Sequence, residues 1–188
     1  MIPARIRLAI AEETTSADVR LTLCLGVSRL LPTLLANRLR TNLVRLGGVT
    51  IGRGTTIGGR IMIYGANGAA SLVRIGRDCW INADCTFDAS DRIDVGDRVA
   101  IGQQVLVLTN SHHIGTTESR AGRLHNQPVS IGPGSWIGAR SVILPGTTLG
   151  AGCIVAAGSV VNRSVPPNSL VGGVPARLIR RLGDLSLS

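Results

Sequence analysis

The sequence predicts a mainly β chain wound into a three-sided coil, with one extruded loop and a helical segment in front of it. Three observations carry that expectation: a six-residue period, abundant glycine, and a near absence of aromatic rings. The chain has 188 residues, with 24 Gly and 44% apolar residues, but only two Trp, one Tyr and one Phe. A core with so few rings must be filled by branched aliphatics in narrow, regular layers. A mean hydropathy of +0.30 and only 16% charged residues argue against disorder. Binding of nucleic acid on exposed aromatic platforms is not expected, because the rings are too few.

The repeat is read first, since self-similarity at a fixed period decides the architecture. An aliphatic residue followed by a small or polar one recurs at Ile51-Gly52, Ile57-Gly58, Ile75-Gly76, Ile81-Asn82 and Phe87-Asp88. After a two-residue shift of phase it returns at Val95-Gly96, Ile101-Gly102 and Val107-Leu108, and then at Ile131-Gly132, Ile137-Gly138, Ile143-Leu144, Leu149-Gly150, Val155-Ala156 and Val161-Asn162. Four residues after most of these stands a small or β-branched residue, such as Thr55, Cys79, Cys85, Ser135, Ser141 or Cys153. Six is the period of neither a helix nor a simple alternating strand. It fits short strands bent at regular corners, with the aliphatic pointing inward and glycine permitting the tight turn. Three such strands close one coil, and coils stack at the inter-strand spacing of about 4.8 Å.

Two segments break the repeat and set the expected organisation: a helical segment over 1–46, a coil domain over 47–176 holding the loop 110–128, and a C-terminal tail over 177–188. The loop is polar, carries all three histidines, and leaves the phase of the coil unchanged across it. A long irregular excursion from a regular scaffold points to function. Residues 1–46 read as two amphipathic helices, with Pro32 at the first turn of the second. Their charge is +4, seven Arg against three acids. A cap over the first coil or over a neighbouring subunit is the simpler role for them. Peripheral contact with a membrane surface, serving a lipid-linked acceptor, is the sharper one.

The stretch from Trp136 to Arg180, WIGARSVILPGTTLGAGCIVAAGSVVNRSVPPNSLVGGVPARLIR, resembles the C-terminal half of the hexapeptide-repeat acyltransferases. Within them it is most similar to the maltose/galactoside and polysaccharide O-acetyltransferases, over roughly residues 47–181. The resemblance implies a left-handed parallel β-helix, a homotrimer with sites between subunits, and CoA-dependent transfer of an acetyl group to a hydroxyl of a sugar or glycoconjugate. It places the catalytic base at His112, in Thr109-Asn110-Ser111-His112, where imidazole, titrating at about 6.5, accepts a proton at neutral pH. Asn82 matches an acceptor or oxyanion position. Asp88 stands close to, but shifted from, an acidic acceptor position that here reads Ala89-Ser90, which leaves the acceptor open. The donor positions are Trp136 and Ala139 beside the thioester, Ala157, Gly158, Asn162 and Arg163 along the pantetheine and nucleotide, and Arg177 and Arg180 near the phosphates. Guanidinium pairs with phosphate through two parallel hydrogen bonds, so the chemistry agrees. His113 and His125 read as solvated loop residues. A zinc carbonic anhydrase reading fails on the adjacent His112-His113 pair, and no metal is expected.

Alternatives remain within and beyond that class: a longer acyl-CoA, a serine, antibiotic or amino-sugar acceptor, or a non-catalytic β-helix scaffold. Four scattered cysteines without a C-x-x-C pair read as reduced core residues of a cytoplasmic protein. All 20 basic residues are Arg, giving a net +9. No arginine run exceeds two residues, so nucleic acid is not an expected partner.

Overall fold

The computed structural model describes residues 18–183. Three strands make the first coil: β1 (Thr50–Ile51), β2 (Thr56–Ile57) and β3 (Ile61–Tyr64). The second holds β4 (Val73–Ile75), β5 (Trp80–Ile81) and β6 (Cys85–Asp88), and the third β7 (Ile93–Val95), β8 (Ala100–Ile101) and β9 (Leu106–Leu108). An antiparallel pair, β10 (Asn110–Ile114) and β11 (Ala121–Asn126), then leaves the coil. Winding resumes with β12 (Val129–Ile131), β13 (Trp136–Ile137) and β14 (Val142–Ile143), then β15 (Thr148–Leu149), β16 (Ile154–Val155) and β17 (Val160–Val161). A last turn through Val165 reaches β18 (Ser169–Gly173), onto which β19 (Ala176–Arg181) folds back antiparallel.

Strands from successive coils pair in parallel and build three sheets. The first runs β1-β4-β7-β12-β15, the second β2-β5-β8-β13-β16-β18-β19, and the third β3-β6-β9-β14-β17. This is the three-sided parallel solenoid that the period of six requires, the architecture of a left-handed parallel β-helix. Register survives both irregularities: Ile75 pairs with Val95 across the phase shift, and Val107 with Ile143 across the extruded segment. The repeat aliphatics Ile57, Ile81, Phe87, Ile101, Ile137, Ile143 and Leu149 are buried and stack as the core, and so are the small slots Thr55, Cys79, Cys85, Ser135, Ser141 and Cys153.

Glycine has a different task from the one expected at the corners. The residue after the repeat aliphatic does not take a positive φ. A Cβ on Gly138 would sit 2.5 Å from the Ala157 nitrogen of the next coil, and one on Gly102 2.6 Å from that of Ala139. Coil stacking, not the turn, excludes side chains there. The left-handed conformation falls on the residue before the small inward slot, and that position accepts Gly134 and Gly158 but also Asp84, Gln104 and Arg140.

Three expectations need correction, and one insertion joins them. The second helix does not begin at Pro32: α1 spans Val19–Arg29 and α2 spans Asn37–Leu46, with Pro32 in the linker. Leu34 and Ala36 take positive φ there, which no helix continues through. The loop 110–128 is not structureless but a β-ribbon. Residues 177–181, set apart as a tail, continue β19. Finally, Gly65–Leu72, not singled out in the sequence, is an insertion in the third corner of the first coil, between β3 and β4, and contains the short helix α3 (Ala69–Leu72).

Helix α2 closes the open edge of the first coil, as a cap should. Thr41 Oγ1 accepts from the Ile57 amide at 3.0 Å, and Arg45 donates to the carbonyls of Ile51 and Gly52 at 3.2 and 2.7 Å. Arg40 is fully buried and gathers the carbonyls of Leu31, Pro32, Leu35 and Ile57. Helix α1 starts at Asp18, whose carboxylate accepts from the Leu21 amide at 3.1 Å and the Ala70 amide at 3.3 Å. That cap ties the helix to the insertion. Residues 1–17 of the expected helical segment lie outside the described residues.

Candidate functional site

In a coil whose aliphatics point inward, the residue before each aliphatic points out. Along the second sheet those residues are in register: Thr56, Trp80, Ala100, Trp136, Ile154 and Leu170. Small Ala100 between two tryptophans leaves a trough. The result is an apolar groove of about 550 Å³, walled by Trp80, Trp136, Ile154 and Leu170 and floored by Ala100. Asn82, Ala139 and Ala157 line its rim at the corner where the second sheet turns into the third. Three donor positions and one acceptor position named from the sequence are therefore brought together: Trp136, Ala139, Ala157 and Asn82.

The remaining donor positions divide. Arg163 and Arg177 line a second hollow of about 260 Å³ beside Val165, Val171 and Leu178. Arg181 joins them, with its guanidinium also on Ser169 Oγ at 2.9 Å. Arg180 pairs with Leu170 in the antiparallel ladder and so stands at the end of the groove. Gly158 and Asn162 are exposed corner residues outside both hollows. From Val129 to Gly183 the chain has five Arg and no Asp or Glu, so this end of the coil presents an uncompensated positive potential.

His112 lies on β10, paired with Leu124 of β11. Its Nδ1 is 2.7 Å from the Gly122 carbonyl oxygen. A carbonyl only accepts, so Nδ1 carries the hydrogen, and in neutral imidazole Nε2 is left with a free lone pair. His113 and His125 lie against each other with ring centroids 4.7 Å apart. Among the described residues no group of three His, Cys, Asp or Glu is arranged to hold a metal.

Asp88 is buried, at the corner from which the ribbon leaves. Its Oδ1 accepts from Ser90 Oγ at 2.8 Å, and Ser90 Oγ accepts from Asn110 Nδ2 at 3.1 Å. Burial and the Asp88 charge together push the Tyr64 hydroxyl above its ordinary pKa. Asp88 thus roots the ribbon, while Asn82 lies at the opposite end of the same coil side. Within one chain no residue of the ribbon lines the groove that Asn82 borders.

The thiols of Cys79, Cys85 and Cys153 are buried. Burial pushes Cys85 up to about 11 and raises Cys79 in the same direction. Neither supplies a thiolate nucleophile at neutral pH.

The sequence reading missed Trp80, Ala100, Ile154, Leu170 and Arg181. The signal for Trp80, Ala100 and Ile154 was present, since each immediately precedes a repeat aliphatic on one side of the coil, whereas Leu170 precedes Val171, which falls outside the six-residue phase. Aligning the repeats in three columns exposes it.

Residues 128–163 match the bacterial transferase hexapeptide (six repeats) family. The chain is 31% identical over 121 residues to galactoside O-acetyltransferase of Escherichia coli K12, covering 64% of this chain and 57% of that protein. Matches to putative acetyltransferases of Staphylococcus aureus reach 37% identity over 75 residues, 40% of this chain and 35% of theirs. The chain therefore matches little more than half, or less, of these relatives' length. A hexapeptide-repeat acetyltransferase of Vibrio cholerae, solved with acetyl coenzyme A, superposes with a TM-score of 0.72 at 32% identity, covering 87% of this chain and 88% of that one. A galactoside acetyltransferase in complex with coenzyme A gives 0.72 at 26% identity, over 89% and 81%.

Proposed function

The chain belongs to the hexapeptide-repeat acetyltransferases, and from that premise we propose that it moves an acetyl group from acetyl-CoA to a hydroxyl of a sugar or glycoconjugate, with His112 as general base. One observation carries the assignment of the base. The bond from His112 Nδ1 to the Gly122 carbonyl fixes the tautomer in which Nε2 accepts a proton. In the transfer, Nε2 takes the acceptor's hydroxyl proton as the oxygen attacks the thioester carbonyl. The carbon–sulfur bond breaks, and the imidazolium returns the proton to the departing thiolate. The products are an acetate ester and free CoA, with no covalent enzyme intermediate, as the buried thiols suggest. Asn82, at the rim of the groove, would hold the acceptor or the developing oxyanion.

The residues present fit the co-substrate. The apolar groove at Trp136, Ala139 and Ala157 suits the pantetheine arm, and the acid-free C-terminal coils suit the phosphates. Arg163, Arg177 and Arg180 would pair with the phosphates, and Gly158 and Asn162 would line the path between. The groove and the ribbon leave the coil at different corners, so a complete site needs the ribbon of one copy beside the groove of another. A homotrimer would satisfy that requirement.

The test is replacement of His112 by Ala in an assay of thiol release from acetyl-CoA with a panel of sugars and glycolipids. The expected loss is about 10²–10⁴-fold in turnover, with CoA-induced thermal stabilisation and subunit assembly retained. Near-normal turnover overturns the base. Failure of the wild-type chain to bind CoA at all favours a scaffold.

A further inference from the structure

Helix α1 carries two apolar faces. Leu21 and Leu25 are buried against the coil. On the opposite side Val19, Leu23, Val27 and Leu30 form a second stripe at helical spacing, with Leu23 65% and Leu30 83% exposed. At 3.6 residues per turn, Arg20 borders this stripe on one side, and Arg29 lies on the other flank of the helix, between the stripe and the buried face. The linker adds exposed Leu34 and Leu35, and α2 adds exposed Leu39. From Val19 to Val49 there are five arginines and no acid.

We infer that this face docks on an anionic lipid surface, with α1 lying in the plane of the headgroups. The chemistry is that of an interfacial helix: large aliphatics enter the acyl boundary while arginines on its flanks meet lipid phosphates. No described helix is long and apolar enough to cross a membrane, so the contact is peripheral. Charge separates this occupant from a second copy of the chain. A basic face needs an acidic partner, and of the accessible acids on the described coil Asp84, Asp97 and Asp94 are paired with Arg60, Arg77 and Arg92, which leaves only Asp78 and Asp91 without an ion pair to set against the five arginines.

The surface is continuous with the catalytic groove. Leu34 Cδ2 and Trp80 Cζ2 both approach Gly58, lying 3.5 and 3.2 Å from where a Cβ on that glycine would stand. Trp80 forms the Asn82 end of the groove. Docking through α1 and the linker therefore brings the proposed acceptor end towards the lipid, which suits an acceptor carried on a lipid. The docking itself does not rest on the transfer reaction.

Flotation of the full-length chain with vesicles tests the proposal. Binding is expected to phosphatidylcholine vesicles containing phosphatidylglycerol and not to phosphatidylcholine alone. Leu23→Gln with Val27→Gln should reduce the bound fraction at least tenfold while leaving CoA-induced stabilisation and the size of the assembly unchanged. Arg20→Gln with Arg29→Gln, a surface pair that leaves the core intact, should weaken partitioning roughly 30-fold, from about fivefold per arginine. Arg74→Gln with Arg98→Gln removes the same charge from the coil and should change it little. Failure to bind the anionic vesicles overturns the inference. So does an equal effect of the coil pair, which would mean unspecific charge attraction, or a change in assembly size on altering Leu23 and Val27, which would make the stripe a subunit interface.

Discussion

The coil and the segments attached to it are stabilised in different ways. In the coil each residue has stacked counterparts in adjacent turns, so the core is a column of Ile57, Ile81, Ile101, Ile137, Val155 and their equivalents on the other two sides. Support is repeated and local. The helical cap and the ribbon have no such redundancy. The cap's linker is held by the buried Arg40 guanidinium and a single backbone bond from the Leu34 amide to the Gly58 carbonyl, and the His112 ring of the ribbon by one bond to the Gly122 carbonyl. Damage to the coil should therefore cost stability everywhere, whereas damage to an attachment should release that attachment alone.

The largest expected effect breaks the comparison at its core. Ile137→Ala removes a fully buried side chain from the middle of a column and should cost about 2–5 kcal/mol in global unfolding. Arg40→Met should cost roughly 3 kcal/mol by leaving several carbonyls of the linker without a donor. Its signature should differ: proteolytic nicking near Pro32 and loss of helical circular dichroism well before the coil melts. Cooperative melting of coil and cap together in Arg40→Met would contradict the distinction.

The same contrast decides how much could be read in advance. The coil was legible because its period is written in the chain: the alignment of Val107 with Ile143 across the loop follows from phase alone. Trp136, Ala139 and Ala157 came from the resemblance to the hexapeptide-repeat acyltransferases, and the regular stacking of the coil is what sets them along one groove. The ribbon was not legible. Its pairing sets Ser111 against His125 and Asn110 against Asn126. Polar pairs of that kind carry no alternating apolar pattern. Arg40 was also hidden, because one arginine among several looks like surface charge until the carbonyls that converge on it are known. The division of sites followed from the same cause. Positions within the repeat came together at the groove, but where the extruded ribbon points is set by tertiary contacts that no period encodes.

A third prediction, smaller in energy, sharpens the contrast at the groove. Trp136→Ala removes one wall while leaving the inward column untouched, since Trp136 points outward and is half exposed. Acetyl-CoA affinity should fall about tenfold, from the loss of roughly 1–2 kcal/mol of apolar contact, with little change in melting temperature. Turnover at saturating acetyl-CoA should persist. Equal losses in kcat and in affinity would move Trp136 from donor binding into the chemistry itself.

The smallest expected effect is an absence of reaction, and it separates coil from cap by chemistry rather than by energy. Cys24 lies on α1 and is partly accessible, whereas Cys79, Cys85 and Cys153 fill inward slots of the coil. Because burial raises the folded Cys85 pKa to about 11, from 9.0 for a free thiol, its thiolate fraction at pH 8 falls well below that of an exposed cysteine. Alkylation of the native protein at that pH should modify Cys24 within minutes and leave the three coil thiols intact until the protein unfolds. Raising the pH towards 11 works in the opposite sense. The unfolded thiol ionises first, so the stability linked to Cys85, fully present below about pH 9, is lost as the pH approaches 11. If Cys85 instead reacted as fast as Cys24 at pH 8, the coil would be opening locally. The stacked columns would then not be the rigid support on which the groove depends.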